Sequence, residues 1–323
     1  VRRARADSLI RQRFRSVRTT RTVSMSQTAA GATEARRVAR RAIDFVRFRD
    51  ANAHGAAFEA STLRGLLQND PAFDSLSRHR QIKKEITEAF AALEQVRRAL
   101  RDRGTGDWEG DGRGLIFIEL CSGRGFVSLA LADAFPKARI YMIDCDTDMD
   151  VSHVRAFGPD RISFHAFDLF SSECEAFVRD IVADAPSAST AVLVGVHLCG
   201  ALADRAISLY ESVERVAALV LAPCCLPRRR RHDVPGFHVK DIAKAIANGV
   251  TPHQCWCTHL YFRLPRTSKR NMLIDHDMLS QQNTFLIARR TEELALDGLS
   301  LAPKVSDSIL PGRSRAKWRI VAK

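Results

Sequence analysis

The chain has 323 residues, 46% of them hydrophobic and 27% charged, with a formal net charge of +13. This is the composition of an ordinary globular chain, long enough to bury a full core; no apolar run reaches transmembrane length, so no membrane partner is expected. Eight cysteines without a secretory apolar segment point to a reducing, intracellular compartment rather than a disulfide framework.

The positive charge is concentrated at the start, where residues 1–24 hold eight arginines against one aspartate. Arg-rich, Ser/Thr-rich and nearly acid-free, this stretch has the composition of an organelle transit peptide, which would send the protein to a mitochondrion or plastid. A basic RNA-binding arm has the same composition. So has spurious translation ahead of a start at Met25, which would leave the protein in cytoplasm or nucleus. Residues 1–31 are therefore expected to form a disordered basic leader or transit-like segment outside the fold.

From residue 32 to about 106 the text is helical. "ATEARRVARRAIDFVRFRDA" and "LSRHRQIKKEITEAFAALEQVRRALRDRG" space their apolar residues by three or four among charges, and Gly104 and Gly106 end the second run. After the "GTGDWEGDGRG" linker, residues 107–291 change to short apolar strands alternating with helical stretches. Strands are expected at 115–120, 139–144, 162–166, 191–197 and 217–222. Two closing strands follow at 258–264 and 283–290. Continuously apolar strands alternating with helices predict an α/β fold: a Rossmann-like, doubly wound, seven-stranded and mostly parallel sheet with an N-terminal helical extension. No internal repeat is present, and the tail 292–323 carries little information.

In open sheets of this type ligands sit beyond the carboxyl ends of the strands, next to the first one. There "IELCSGRGF" breaks into a loop with Gly123 and Gly125, which let the backbone approach a ligand closely, ahead of a helix N-terminus. A dinucleotide fingerprint needs glycine at 121, 123 and 126, where the chain has Cys121, Gly123 and Phe126, and no Walker lysine follows. What remains is an E-x-x-x-G-x-G loop running from Glu119 to Gly125. Asp144 closes the second strand, suited to ribose hydroxyls, and Asp168 follows the third, suited to an adenine amino group. Three acids at successive strand ends suit a ligand with a nucleoside, an amino group and no phosphate, which describes S-adenosyl-L-methionine (SAM).

"IELCSGRGFVSLALA" with "YMID" resembles motifs I and II of class I SAM-dependent methyltransferases, with Cys121 replacing the first glycine of that family's loop. "HLCG" after the fourth strand and "PCC" after the fifth resemble the methyltransferase-domain type 32 group, which includes tRNA ribose 2′-O-methyltransferases, over about residues 80–290. The resemblance implies SAM as cofactor, held by Glu119, Cys121, Gly123, Gly125, Asp144, Asp168 and His197. It also implies an acceptor side lined by His197, Cys199, Cys224 and Cys225, the candidate catalytic residues. Residues 1–110 contain no cysteine, so the zinc-finger region typical of the tRNA ribose enzymes is absent.

His197 is the natural general base, or an acceptor-orienting group, and a structural cap is its plainer role. The three cysteines allow thiolate attack on a pyrimidine, a compact metal site with His197 and the "CWC" sulfurs at 255–257, or simple packing. No C-x-x-C pair exists, so no metal ligand is assigned. Arg228, Arg229, Arg230 and Arg231 follow the fifth strand and are expected to bind substrate phosphates. A second basic loop at 263–271 joins them, with Trp256, Tyr261 and Phe262 free to stack bases, and Arg36, Arg37, Arg40 and Arg41 extend the surface. The reading is a SAM-dependent methyltransferase acting on RNA, tRNA first. Its rivals are a protein or small-molecule methyltransferase and a catalytically silent RNA-binding scaffold.

Overall fold

The described residues before the first strand fold into helices where their apolar residues recur every three or four positions. The computed structural model describes residues 42–49, 51–101, 110–227, 234 and 236–290. The leader 1–31, Arg36, Arg37, Arg40, Arg41, Arg228 to Arg231 and the tail 292–323 lie outside the described residues. After a 3-10 turn at Ala42–Phe45 come α1 (Ala53–Glu59), α2 (Thr62–Asn69) and α3 (Asp74–Ser77). The long helix α4 (Ile82–Arg101) buries Ile82, Ile86, Ala89, Leu93, Val96 and Leu100, one stripe of a 3.6-residue repeat. Its opposite face carries an exposed Glu94–Arg98 pair, and Arg98 and Arg101 in its last turn complement the helix dipole.

Strands and helices then alternate: β1 (Leu115–Leu120), α5 (Phe126–Ala134), β2 (Arg139–Asp144), β3 (Ile162–Ala166), α6 (Ser172–Ala183), β4 (Thr190–Leu198), α7 (Ala201–Ser212) and β5 (Val216–Pro223). The C-terminal part adds α8 (Val239–Ala247), α9 (Pro252–Arg263), β6 (Ser268–Ile274) and β7 (Thr284–Arg290). The seven strands form one sheet in the order β3-β2-β1-β4-β5-β7-β6. Neighbours from β3 to β5 pair in parallel, while β7 runs antiparallel to both β5 and β6.

The central strands are covered on both faces, and β1 and β5 are buried at every position. Alternate residues feed two cores. Phe117, Met142, Val192, Val194, Val220 and Phe285 face α5 and the N-terminal helices. Ile116, Ile118, Leu193, Leu219, Leu221 and Leu286 face α6, α7 and α9. The helix α4 packs on α5, β4, β5 and β7. The helical region 32–106, expected as an extension, thus supplies through its described helices a cover for one sheet face. No helix among the described residues is long and apolar enough to cross a membrane.

One expected strand is a helix. "THLYFRL" at 258–264 is rich in strand-favouring side chains, yet Thr251 and Gln254 form a reciprocal capping box and Pro252 occupies the first turn. From that start Trp256, Cys257 and Leu260 are buried as a helical face. The sixth strand instead lies at Ser268–Ile274, an edge strand bonded to β7 alone. It is mostly exposed or half-exposed, so it has no apolar pattern for a sequence reading to find.

Candidate active site

The loop between β1 and α5 is bent by positive φ angles at Cys121 (53°), Gly123 (50°) and Gly125 (78°). For Cys121 this left-handed conformation costs about 1–2 kcal/mol that a glycine avoids. Gly125 starts α5: its amide donates to the Ser122 carbonyl at 2.9 Å and its carbonyl accepts from Leu129 at 2.9 Å. The Gly123 amide donates to Asp144 Oδ2 at 2.8 Å, and the other oxygen of Asp144 accepts from the Asp146 amide at 3.1 Å. The acid at the end of β2 thereby ties the glycine loop to the next loop.

Glu119, 3% exposed, projects from β1 under α5, where it accepts the Ser128 amide at 3.0 Å and the Ser128 hydroxyl. Burial outweighs these bonds and pushes its carboxyl up to about 8. Burial likewise pushes the Cys121 thiol up to about 12, leaving it a small apolar group rather than a nucleophile.

Over these strand ends lies a cavity of about 320 Å³. Glu119, Cys121, Gly123 and His197 line it, together with Ser122, Arg124, Phe126, Val127, Met149 and Val196. Its other wall comes from the N-terminal helices: His79 before α4, and Glu85 and Glu88 on it. A larger cavity of about 480 Å³ lies between α1, α4 and the stretch after β6, away from the carboxyl ends of the parallel strands. The smaller one has the placement that binding sites take in such sheets.

His197 closes β4 with φ at 61°, uncommon for a residue with a side chain and characteristic of functional sites. Its Nε2 lies 2.5 Å from Glu88 Oε1 and 3.1 Å from Lys84 Nζ, and Lys84 pairs with Glu88 at 2.8 Å. Glu88 is 2% exposed. Nε2 thus faces both a carboxylate, which favours a proton on it, and an ammonium that can only donate to it, and the two together fix where the ring sits. Burial, with Glu88 as a like charge beside it, raises the Glu85 carboxyl above its ordinary range. Lys84, Glu85, Glu88 and His79 were not among the sequence-predicted site residues. The detectable signal was an acid at position 88 inside the apolar stripe of α4, four residues after a lysine.

Other expected residues stand elsewhere. Asp168 is exposed; it accepts the Phe170 amide at 2.9 Å in the turn leading to α6, and it is not among the cavity's lining residues. Cys199, Cys224 and Cys225 do come together, with sulfurs 2.8 Å (199 to 224) and 3.5 Å (199 to 225 and 224 to 225) apart. The His197 ring turns away from them to Glu88. Cys255 and Cys257 ride on α9 outside this sulfur group. The expected joint site of His197, the three cysteines and "CWC" is therefore corrected to the three cysteines alone. Trp256 is fully buried against Phe237 and His259, so it stacks on no base. In the second basic stretch, Arg263 is held by Asp204 and Glu211, and Arg270 lies over Tyr261 while bonding the Leu264 carbonyl.

Residues 82–229 match the family model for a methyltransferase domain, type 32. That segment is a methyltransferase domain. No curated protein matches the chain significantly. Among solved structures, the mitomycin 7-O-methyltransferase MmcR is 13% identical over 73% of this chain and 62% of its own, with a TM-score of 0.36. Human methyltransferase-like protein 13 in complex with SAH is 14% identical over 63% and 80%, with a TM-score of 0.35. A fibrillarin/Nop5p complex is 12% identical over 60% and 79%, with a TM-score of 0.34.

The cofactor of the domain is SAM, and the cavity residues fit it. A Cβ on Gly123 would meet nothing within 4 Å, so the missing side chain leaves room beside the loop. The Ser122 hydroxyl and His79 Nδ1 are buried without a hydrogen-bond partner among the described residues, which leaves them available to a polar ligand. Glu85 and Glu88 on the α4 wall suit a cationic sulfonium and ammonium. Glu119, Cys121, Ser122 and Gly123 would hold the cofactor, while Asp144 braces the loop through the Gly123 amide.

Proposed function

We propose that the protein methylates RNA, tRNA first among its substrates, at a site formed by the β4 and β5 ends. The observation that carries this reading is His197 on its left-handed backbone, with Nε2 2.5 Å from the buried Glu88 carboxylate on the cavity wall. SAM supplies a methyl group on a sulfonium, which leaves by in-line displacement, so the protein's work is to align the acceptor and take its proton. Glu88 and Lys84 position the imidazole, and the ring takes the proton of an acceptor hydroxyl or amine.

The choice of RNA is supported by the four arginines beginning three residues after Cys225, suited to phosphates, and by the type 32 resemblance. Titration of SAM calorimetrically into the protein, with Asp144→Ala alongside, tests the cofactor site. Labelled methyl transfer to RNA pools tests the acceptor. Label lost on ribonuclease treatment supports RNA, and label that survives assigns a protein or small molecule instead. A folded protein that binds RNA but neither binds SAM nor turns over is a scaffold.

A further inference from the structure

Outside the cavity, one group of reactive side chains is gathered tightly by elements distant in sequence. Cys199 follows β4, while Cys224 and Cys225 follow β5, and backbone bonds clasp the two strand ends. The Gly200 amide donates to the Cys225 carbonyl at 2.9 Å, and the Cys224 amide to the Leu198 carbonyl at 3.4 Å. The three ligand sulfurs all lie within 4.8 Å of one another. Cys224 is 9% exposed, and Cys199 and Cys225 open to solvent. The Cys224 thiol also lies 3.3 Å from the His197 carbonyl.

We infer that Cys199, Cys224 and Cys225 form a three-thiolate site for one zinc-class thiophilic cation, with its fourth position facing solvent. Tetrahedral zinc with sulfur at about 2.3 Å sets its ligand sulfurs about 3.8 Å apart. Two of the three edges, at 3.5 Å, are within a few tenths of an ångström of that. The third, at 2.8 Å, opens by about 1 Å as the ion enters. Without a cation, three sulfurs so close cannot all ionise, since each thiolate repels the next. A divalent ion removes that repulsion: each thiol gives its proton to solvent, and three sulfur lone pairs bind the metal with no change of oxidation state. Bound there, the cation cross-links the β4 and β5 ends beneath the His197 backbone. It would hold that residue in its left-handed conformation whatever the acceptor is.

The test is metal analysis of the full chain equilibrated with Zn²⁺ and then freed of unbound ion. About one zinc per chain is expected, together with a sulfur-to-cobalt charge-transfer band when Co²⁺ is used instead. Cys225→Ser and Cys199→Ser should lose both signals with the fold retained by circular dichroism, whereas Cys145→Ser and Cys255→Ser keep them. Because Cys224 is the buried member and its replacement disturbs packing as well as the site, the two solvent-facing variants carry the decision. A folded wild-type chain without retained zinc, its three thiols reacting equally fast with and without Zn²⁺, overturns the proposal. So does zinc retained undiminished by Cys199→Ser and Cys225→Ser, or an intact mass and peptide map revealing a Cys199–Cys224 disulfide in the freshly isolated protein.

Discussion

Glu119 is a carboxyl kept neutral by its surroundings, and this has a sign that can be measured. Its folded value is pushed from an ordinary 4.5 to about 8, so in that window the folded protein holds a proton that the unfolded chain has lost. Stability therefore falls as pH rises from about 4.5 to about 8 and levels off above that. Glu119→Gln, which stays neutral, should gain in melting temperature over wild type as pH is raised through this range; parallel melting curves would count against a neutral Glu119. Glu88→Gln removes the charge that orients His197 and should lower the methyl-transfer rate about 100-fold while leaving SAM affinity near wild type. Glu88→Asp should restore part of the rate, and an equal loss of rate and SAM affinity would make Glu88 a cavity wall rather than a positioning residue. Cys121→Gly exchanges left-handed strain for lost apolar burial. Its melting temperature should move little and its SAM binding persist, because only the backbone shape of the loop is needed there.

At the scale of elements, the β1–α5 loop and α4 form opposite walls of one cavity. Gly123 has open space where a Cβ would stand, so Gly123→Ala costs only its left-handed strain, about 1–2 kcal/mol, yet puts a methyl group into the ligand's room. The expected outcome is a folded protein, with a modestly lowered melting temperature and SAM binding weakened at least tenfold; unweakened binding would move the cofactor away from this loop. Helix α9 shows how local signals compete. Thr, Tyr and Phe near 258–262 favour a strand, but the capping box at Thr251–Gln254 starts a helix first, and a helix once nucleated extends cheaply. The edge strand β6 escaped notice for the complementary reason. With β7 on one side only, it needs no apolar alternation to hold its register.

For the whole molecule, the N-terminal helices share a core with the sheet. Phe58, Leu67, Phe73, Ile86 and Leu93 belong to the same buried cluster as Phe117, Val192, Val220 and Phe285. A chain beginning at residue 110 would leave that sheet face bare. It should lose its cooperative thermal transition and bind a hydrophobic dye, unlike a chain beginning at residue 40. If the shorter chain melts cooperatively, α1 to α4 are dispensable cover.

The first five strands, the glycine loop and Asp144 were legible in the chain because each is a local property. A strand buried on both faces must be apolar throughout, a loop with positive φ favours glycine, and an acid at a strand end lies at a set spacing from that loop. Those features set the fold class, and together with Asp168 and the resemblance to class I methyltransferases they pointed to the cofactor. The tertiary structure decided which distant residues meet. Glu88 reaches His197 across 109 positions only because α4 packs over the β4 end. Cys199 meets Cys224 because β4 and β5 are neighbours in the sheet. Trp256 is removed from any nucleic-acid surface because α9 turns it into the core. Sequence spacing encodes what a segment does along itself, whereas a pairing between segments follows from the balance of all the surfaces that must be buried together.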